Sequence, residues 1–150
     1  PNGAKVIEYN CRFGDPETQV VLPLLETDIM DIIEAVWEEK LDALDIKWSD
    51  KSCACVVMAS GGYPEKYETG KVISGLDENG QCEGAFVYHA GTKLEDGKFL
   101  TAGGRVLGIT AYGETLKEAL DTAYKAVDTI SFEKAHYRHD IGKKALSALK

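Results

Sequence analysis

Two hydrophobic periods divide this chain, and they limit its architecture more than its composition does. Apolar residues at Ile29, Ile32, Ile33, Val36, Trp37 and Leu41 recur with the 3.6-residue spacing of an amphipathic helix. Thr27 or Asp28 is placed to cap that helix, and the acidic residues fall on its other face. The spacing predicts one buried stripe, and Trp37 and Trp48 read as packing residues. From Cys53 the period changes. CACVVMAS reads as a central strand ended by Gly61-Gly62-Tyr63-Pro64, and KVISGL and GAFVYHAG read as strands on either side of an Asp77-Glu78-Asn79-Gly80 turn. Asp96-Gly97 joins TKLE to KFLT as a hairpin, and RVLGITAYG, residues 105–113, is a further strand. Thr115 and Glu118 then have the spacing of a capping box, opening a helix with Leu116, Ala119, Leu120, Ala123, Val127 and Ile130 on one face. Strands in a run followed by a helix predict an α+β arrangement, an antiparallel sheet with helical cover. The connector Asp45 to Lys51 marks a plausible domain boundary.

The segment VIEYNCRFGDPETQ, residues 6–19, raises the question of chemistry. Its alternation predicts a half-buried strand with Ile7, Tyr9, Cys11 and Phe13 on one face and Glu8, Asn10 and Arg12 on the other. A Mg²⁺ ion takes oxygen ligands, and one or two protein groups usually complete a shell of water and nucleotide phosphate. Glu8 offers a carboxylate, Asn10 a carbonyl oxygen at the adjacent same-face position, and Arg12 a fork that matches phosphate or carboxylate. On spacing alone, a solvated strand face with an ion pair fits these residues too. The chain opens with Pro1-Asn2-Gly3, a hairpin-turn signal with no strand before it and no initiator Met. The expectation is a segment cut from a longer protein, with the first strand of that hairpin missing.

The net charge of −8 argues against general nucleic-acid binding, which depends on cations neutralising phosphates. Charge is uneven: Thr27 to Asp50 holds eight acids and two lysines, Lys134 to Lys150 five bases and one acid, and both read as solvated surface. Cys11, Cys53, Cys55 and Cys82 form no CxxC pair, so they read as structural thiols. No apolar run approaches the roughly 18 residues of a membrane span, and there is no signal peptide, which makes a cytoplasmic setting the expectation.

The stretch RFGDPETQV, Arg12 to Val20, resembles the signature of the phosphoribosylamine–glycine ligases, ATP-grasp enzymes of purine biosynthesis. The matching positions are Arg12, Gly14, Asp15, Pro16, Glu17 and Gln19. VIEYN resembles the family's metal-binding strand, and the likeness continues in order through VVMASGGYP, HAGTKL, GGRVLGITA and YRHDIG. The resemblance implies that Glu8 and Asn10 ligate the Mg²⁺ or Mn²⁺ bridging the ATP phosphates. Arg12 would hold phosphate or substrate carboxylate as the catalytic cation, with Asp15 and Glu17 shaping a neighbouring glycine pocket. The implied reaction phosphorylates glycine with ATP and passes the glycyl group to the amine of 5-phosphoribosylamine, which needs positioning and charge neutralisation but no nucleophilic Ser or Cys.

Gly103-Gly104-Arg105 is a second candidate, because glycines admit close backbone approach and the Arg can reach a phosphate. By likeness to related ATP-grasp enzymes, Arg105 is expected at a ribosyl 5′-phosphate, with Gly104 beside it. Gly61, Gly62, Tyr63, Gly91 and Thr92 fit either strand-end turns or the lining of the same cleft. His136 and His139 read as a surface pair and His89 as a structural histidine. The resulting expectation is the end of an ATP-grasp domain over 1–50 and a small α+β domain over 51–150. The adenine-binding and N-terminal lobes are absent, so the chain alone is expected to be inactive. Two alternatives are another ATP-grasp carboxylate ligase resembling biotin carboxylase, and a stand-alone module binding a phosphosugar or nucleotide.

Overall fold

The computed structural model describes residues 3–148, so Pro1 and Asn2 of the expected opening turn lie outside the described residues. The elements in order are α1 (Thr18–Val21), α2 (Ile29–Trp37), β1 (Ser52–Ala59), β2 (Phe86–His89), β3 (Thr92–Glu95), β4 (Lys98–Thr101), β5 (Arg105–Gly113), α3 (Leu116–Val127) and α4 (Lys143–Ala148), with 3-10 turns at Leu22–Leu24 and Leu41–Ala43. The main sheet runs β1-β5-β2, with both neighbours antiparallel to β5, and β3 and β4 form a separate hairpin. This is the α+β arrangement the strand run predicts.

The long strand β5 sits at the centre because its apolar residues meet cover on both faces. Ala111, Ile109 and Leu107 pair with Ala54, Val56 and Met58 of β1, and these residues are at most 5% exposed. Against them α3 lays Ala119, Ala123 and Val127, whose small side chains bring the helix close to the sheet. The capping box forms as its spacing predicts: Thr115 Oγ1 accepts from the Glu118 N–H, and the Glu118 carboxylate accepts from the N–H groups of Thr115 and Glu114. Asp96 and Gly97 make the β3–β4 turn with φ of 50° and 72°, the positive pair that a tight two-residue hairpin requires.

Five expectations are corrected. CACVVMAS is an edge strand of the main sheet: its continuous apolar run reflects cover on both faces, since α3 and α1 both pack on β1, and not a central position. KVISGL forms no strand; Val72 bridges Leu100 while Ser74, two residues on, bridges Ser131, so the segment changes partner and no ladder propagates. Residues 6–13 form no strand and bend at Cys11 and Arg12, and among the described residues they have no neighbouring strand whose ladder they could join. The α2 stripe is not buried: Asp28 caps the helix through the Met30 N–H, yet Ile33, Val36 and Trp37 are 52%, 56% and 88% exposed. Trp48 is likewise 48% exposed, so neither tryptophan packs into this core. The helix is amphipathic; no described element covers its apolar face.

Candidate functional site

The second face of the sheet carries the site. Thr110 and Tyr112 of β5 lie in register with Cys55 and Cys53 of β1, opposite the core face, and Tyr88 of β2 pairs with Gly108. The segment from Gly14 to Leu25 crosses this face, held by α1 packing on β1 and β5 and by the Tyr112 hydroxyl, which donates to the Pro23 carbonyl at 3.3 Å. Between segment and sheet lies an open cavity of about 640 Å³. Arg12, Phe13, Gly14, Asp15, Gln19 and Leu22 form one wall, and Tyr88, His89 and Tyr112 the other. Burial pushes the Tyr88 and Tyr112 hydroxyls up from the ordinary phenol range, so both act as neutral donors and acceptors.

The turn at the cavity mouth is built by its own residues. Gly14 O accepts from both the backbone N–H and the hydroxyl of Thr18, the latter at 2.6 Å. A Cβ on residue 14 would overlap the Glu17 carboxylate, so a glycine is needed for Glu17 to fold back over the turn. Asp15 is held from two directions. Its Oδ1 accepts from Gln19 Nε2 at 3.0 Å, and its Oδ2 accepts from Arg105 Nη2 at 2.8 Å. Arg105 Nη1 also donates to the Asp15 carbonyl at 3.2 Å.

Glu8, Asn10 and Arg12 come together although no strand ladder orders them. Asn10 Nδ2 donates to Glu8 Oε1 at 3.1 Å, and Arg12 Nη1 donates to Asn10 Oδ1 at 3.1 Å and to the Phe13 carbonyl at 3.0 Å. These side-chain hydrogen bonds, and no ladder, hold the three side chains together. Arg12 Nε and Nη2, the edge suited to bidentate recognition, have no partner among the described residues. No cluster of three or more His, Cys, Asp or Glu residues suited to a metal occurs among the described residues. Glu8 offers a hard carboxylate oxygen, but Asn10 turns its amide N–H toward Glu8 and its Oδ1 toward Arg12, so the two residues make a partial oxygen donor set for Mg²⁺ or Mn²⁺ only with the Asn10 amide turned over.

Gly104 has its open side filled by the rings of Tyr63 and Tyr67, where a Cβ would collide with Tyr63. Buried Ser60 pins the same turn, donating its hydroxyl to the Gly103 carbonyl at 2.8 Å and its N–H to the Gly104 carbonyl. Gly61, Gly62 and Gly91 sit in tight backbone contacts, as strand-end turns do. His89 is a satisfied structural residue: Nε2–H donates to the Gly80 carbonyl at 2.8 Å and Nδ1 meets the Thr92 hydroxyl at 2.8 Å. His139 lies tilted against the Tyr137 ring, while the His136 backbone bridges Ala59. Desolvation pushes the Cys53 thiol up to about 11 and raises Cys55, in keeping with structural thiols. Sequence reasoning missed the Tyr88 and Tyr112 wall and the joining of Asp15 to Arg105. Strand parity held the signal for the first, because both tyrosines alternate with buried Val87 and Ala111.

Together these features define an α+β domain whose sheet carries the Gly14–Leu25 segment across one face. Residues 53–144 match the family described as phosphoribosylglycinamide synthetase, C domain, and the chain belongs to that family. It is 55% identical over 139 residues to the phosphoribosylamine–glycine ligase of Caldanaerobacter subterraneus subsp. tengcongensis, covering 93% of this chain and 33% of the relative. It is 52% identical over 143 residues to the Synechocystis sp. enzyme of that name, covering 95% and 34%. A bifunctional purine biosynthetic protein of Dictyostelium discoideum is 51% identical over 145 residues, 96% of this chain and 18% of that protein. The crystal structure of the Thermotoga maritima phosphoribosylamine–glycine ligase superposes with a TM-score of 0.70 at 35% identity, over 90% of this chain and 32% of that one. The chain thus spans about a third of the single-function ligases it matches.

Proposed function

We propose that this chain acts as the C-terminal part of an ATP-dependent ligase that joins glycine to 5-phosphoribosylamine through a glycyl phosphate, releasing ADP and phosphate. The observation that carries the reading is the Glu8–Asn10–Arg12 row ending at a cavity mouth built by Gly14, Asp15 and Glu17. In this reading Glu8 and Asn10 hold a Mg²⁺ or Mn²⁺ ion, which when bound neutralises charge on the ATP phosphates. Arg12 presents its Nε and Nη2 edge to the transferring phosphate or the glycine carboxylate. Asp15 and Glu17 shape the place of the amino acid, and the Gly104-Arg105 start of β5 anchors that turn from the sheet through Arg105 on Asp15. The cavity walls hold two anionic reactants together, which is most of what acyl phosphate chemistry needs from the protein.

The reading divides the chain near residue 50, with the signature segment belonging to an ATP-grasp domain and the sheet to the C-terminal domain. Its partners are small molecules and the remaining lobes of the same ligase, and its setting is cytoplasmic. Among the described residues no helix is long and apolar enough to cross a membrane. The exposed α2 stripe and the unpaired residues 6–13 support a further body of protein beside this segment. The 150-residue chain by itself is accordingly expected to release no ADP.

The test is ADP release by a full-length ligase carrying this segment, supplied with Mg-ATP, glycine and fresh 5-phosphoribosylamine, each omitted in turn. Release that needs all three and is abolished by Glu8→Ala in a folded protein supports the ligase and metal roles. Release indifferent to glycine or to phosphoribosylamine refutes the reading and favours another ATP-grasp carboxylate ligase.

A further inference from the structure

We propose that Arg105 serves the site through Asp15, as a positioning residue that fixes the aspartate at the cavity wall. This replaces the direct phosphate contact expected from the sequence, and it rests on the ligase reading above.

The geometry assigns this role in three steps. First, the root of Arg105 is immobile: it leaves the Gly103-Gly104 turn, whose two carbonyls both accept from Ser60, a residue 2% exposed. Second, the end of the guanidinium is spent on one residue, with Nη2 on the Asp15 carboxylate and Nη1 on the Asp15 backbone carbonyl. Holding a carboxylate and a carbonyl of the same residue fixes both the Asp15 side chain and its peptide plane. Third, Asp15 lines the cavity and Arg105 does not. The other carboxylate oxygen is tied by Gln19 on α1, so Asp15 is gripped from the sheet and from its own helix at once.

Such a pair does little for stability, because both side chains are substantially exposed, 38% and 50%. It joins residues 90 apart in sequence, the β5 start and the signature turn. Its consequence is geometric: both carboxylate oxygens of Asp15 and its backbone carbonyl are held in place at the cavity wall. On the ligase reading Asp15 belongs to the amino-acid pocket, so the ligand that depends on Arg105 is the amino acid and not the phosphorylated sugar.

The experiment measures KM for glycine and for 5-phosphoribosylamine in the full-length ligase and in Arg105→Ala, Arg105→Lys, Asp15→Ala and the Arg105→Ala/Asp15→Ala double variant. The expected result is a rise of about tenfold in the glycine KM for Arg105→Ala and for Asp15→Ala, with the double variant no worse than either single one. Arg105→Lys, which keeps one charged donor, recovers part of the loss and guards against a folding artefact. The KM for phosphoribosylamine stays within about twofold. A rise in the phosphoribosylamine KM alone, or losses that multiply in the double variant, would overturn the proposal. Calorimetric binding of ribose 5-phosphate decides it without turnover: unchanged affinity in Arg105→Ala supports positioning, and a tenfold loss means that Arg105 holds the phosphate itself. Failure of the ligase reading looks different, as intact enzyme whose ADP release ignores glycine.

Discussion

Replacing Ile33 and Ile109 by alanine, one at a time, separates a helix that belongs to this core from one that needs other protein. Ile109 is 0% exposed and lies in the cluster covered by Ala123 and Val127, so Ile109→Ala loses a full burial and leaves a cavity. Large-to-small changes of this kind cost about 2–5 kcal/mol. Ile33 is 52% exposed on α2, and no described element covers it. Its truncation in the 150-residue chain should change stability by less than about 0.5 kcal/mol, since the better helix propensity of alanine offsets the small loss of contact. In a full-length ligase carrying the segment, a docked α2 would turn the same change into a core truncation of about 2 kcal/mol or more. Urea unfolding of both chains measures this as a shift of midpoint at constant slope. Equal losses for Ile33→Ala and Ile109→Ala in the 150-residue chain would refute the account of an unpartnered stripe. So would indifference to Ile33→Ala in the full-length enzyme.

Three further outcomes follow from the structure. Thr115→Ala removes the side-chain acceptor for the Glu118 N–H and should cost about 1 kcal/mol, read as a fall in Tm of about 3 °C. Gly14→Ala places a Cβ into the Glu17 carboxylate, so it should displace Glu17 and impair turnover of the full-length enzyme while leaving the far-UV circular dichroism unchanged; wild-type rates would refute the built turn. Iodoacetamide at pH 8 should label exposed Cys11 well ahead of Cys53, whose pKa near 11 leaves about one thiolate in a thousand at that pH. Labelling of Cys53 should accelerate as the pH rises toward 11, and rapid labelling at pH 8 would show the burial to be wrong.

The elements whose partners lie within the chain were legible in the sequence. Thr115 and Glu118 are local to one helix end, and Asp96-Gly97 is local to one turn, so their chemistry alone sets their structure. The Ala119, Ala123 and Val127 face finds the sheet it implies. The α2 stripe has the same period and the same kind of cap, yet it is exposed. Periodicity reports that a face is apolar; it does not report whether the covering surface is present. The opening segment fails for the same reason, because alternation specifies which side chains share a side and pairing requires a neighbour. Asp15 and Arg105 were each singled out, but nothing local in the sequence joins positions 90 apart.

That contrast explains how the candidate site is put together. One half is rigid: Tyr88, His89, Tyr112 and the root of Arg105 hang on a sheet whose core pairs are fully buried. The other half, Glu8 to Arg12, has side-chain contacts within its own row and no backbone ladder, the signature of low local stability. Between them stands the signature turn, tied to the sheet by Arg105 on Asp15, by Tyr112 on Pro23 and by the packing of α1. Order therefore spreads from the sheet outward through Asp15 toward Arg12, and the oxygen donors at Glu8 and Asn10 are the last to be fixed. A reaction that depends on charges held at set distances requires that final row to be ordered by contacts beyond the sheet. On the proposed ligase reading, an exposed α2 stripe and an unpaired Glu8–Arg12 row are consistent features of one design, in which the sheet supplies a rigid wall and further protein packed against the row would order it.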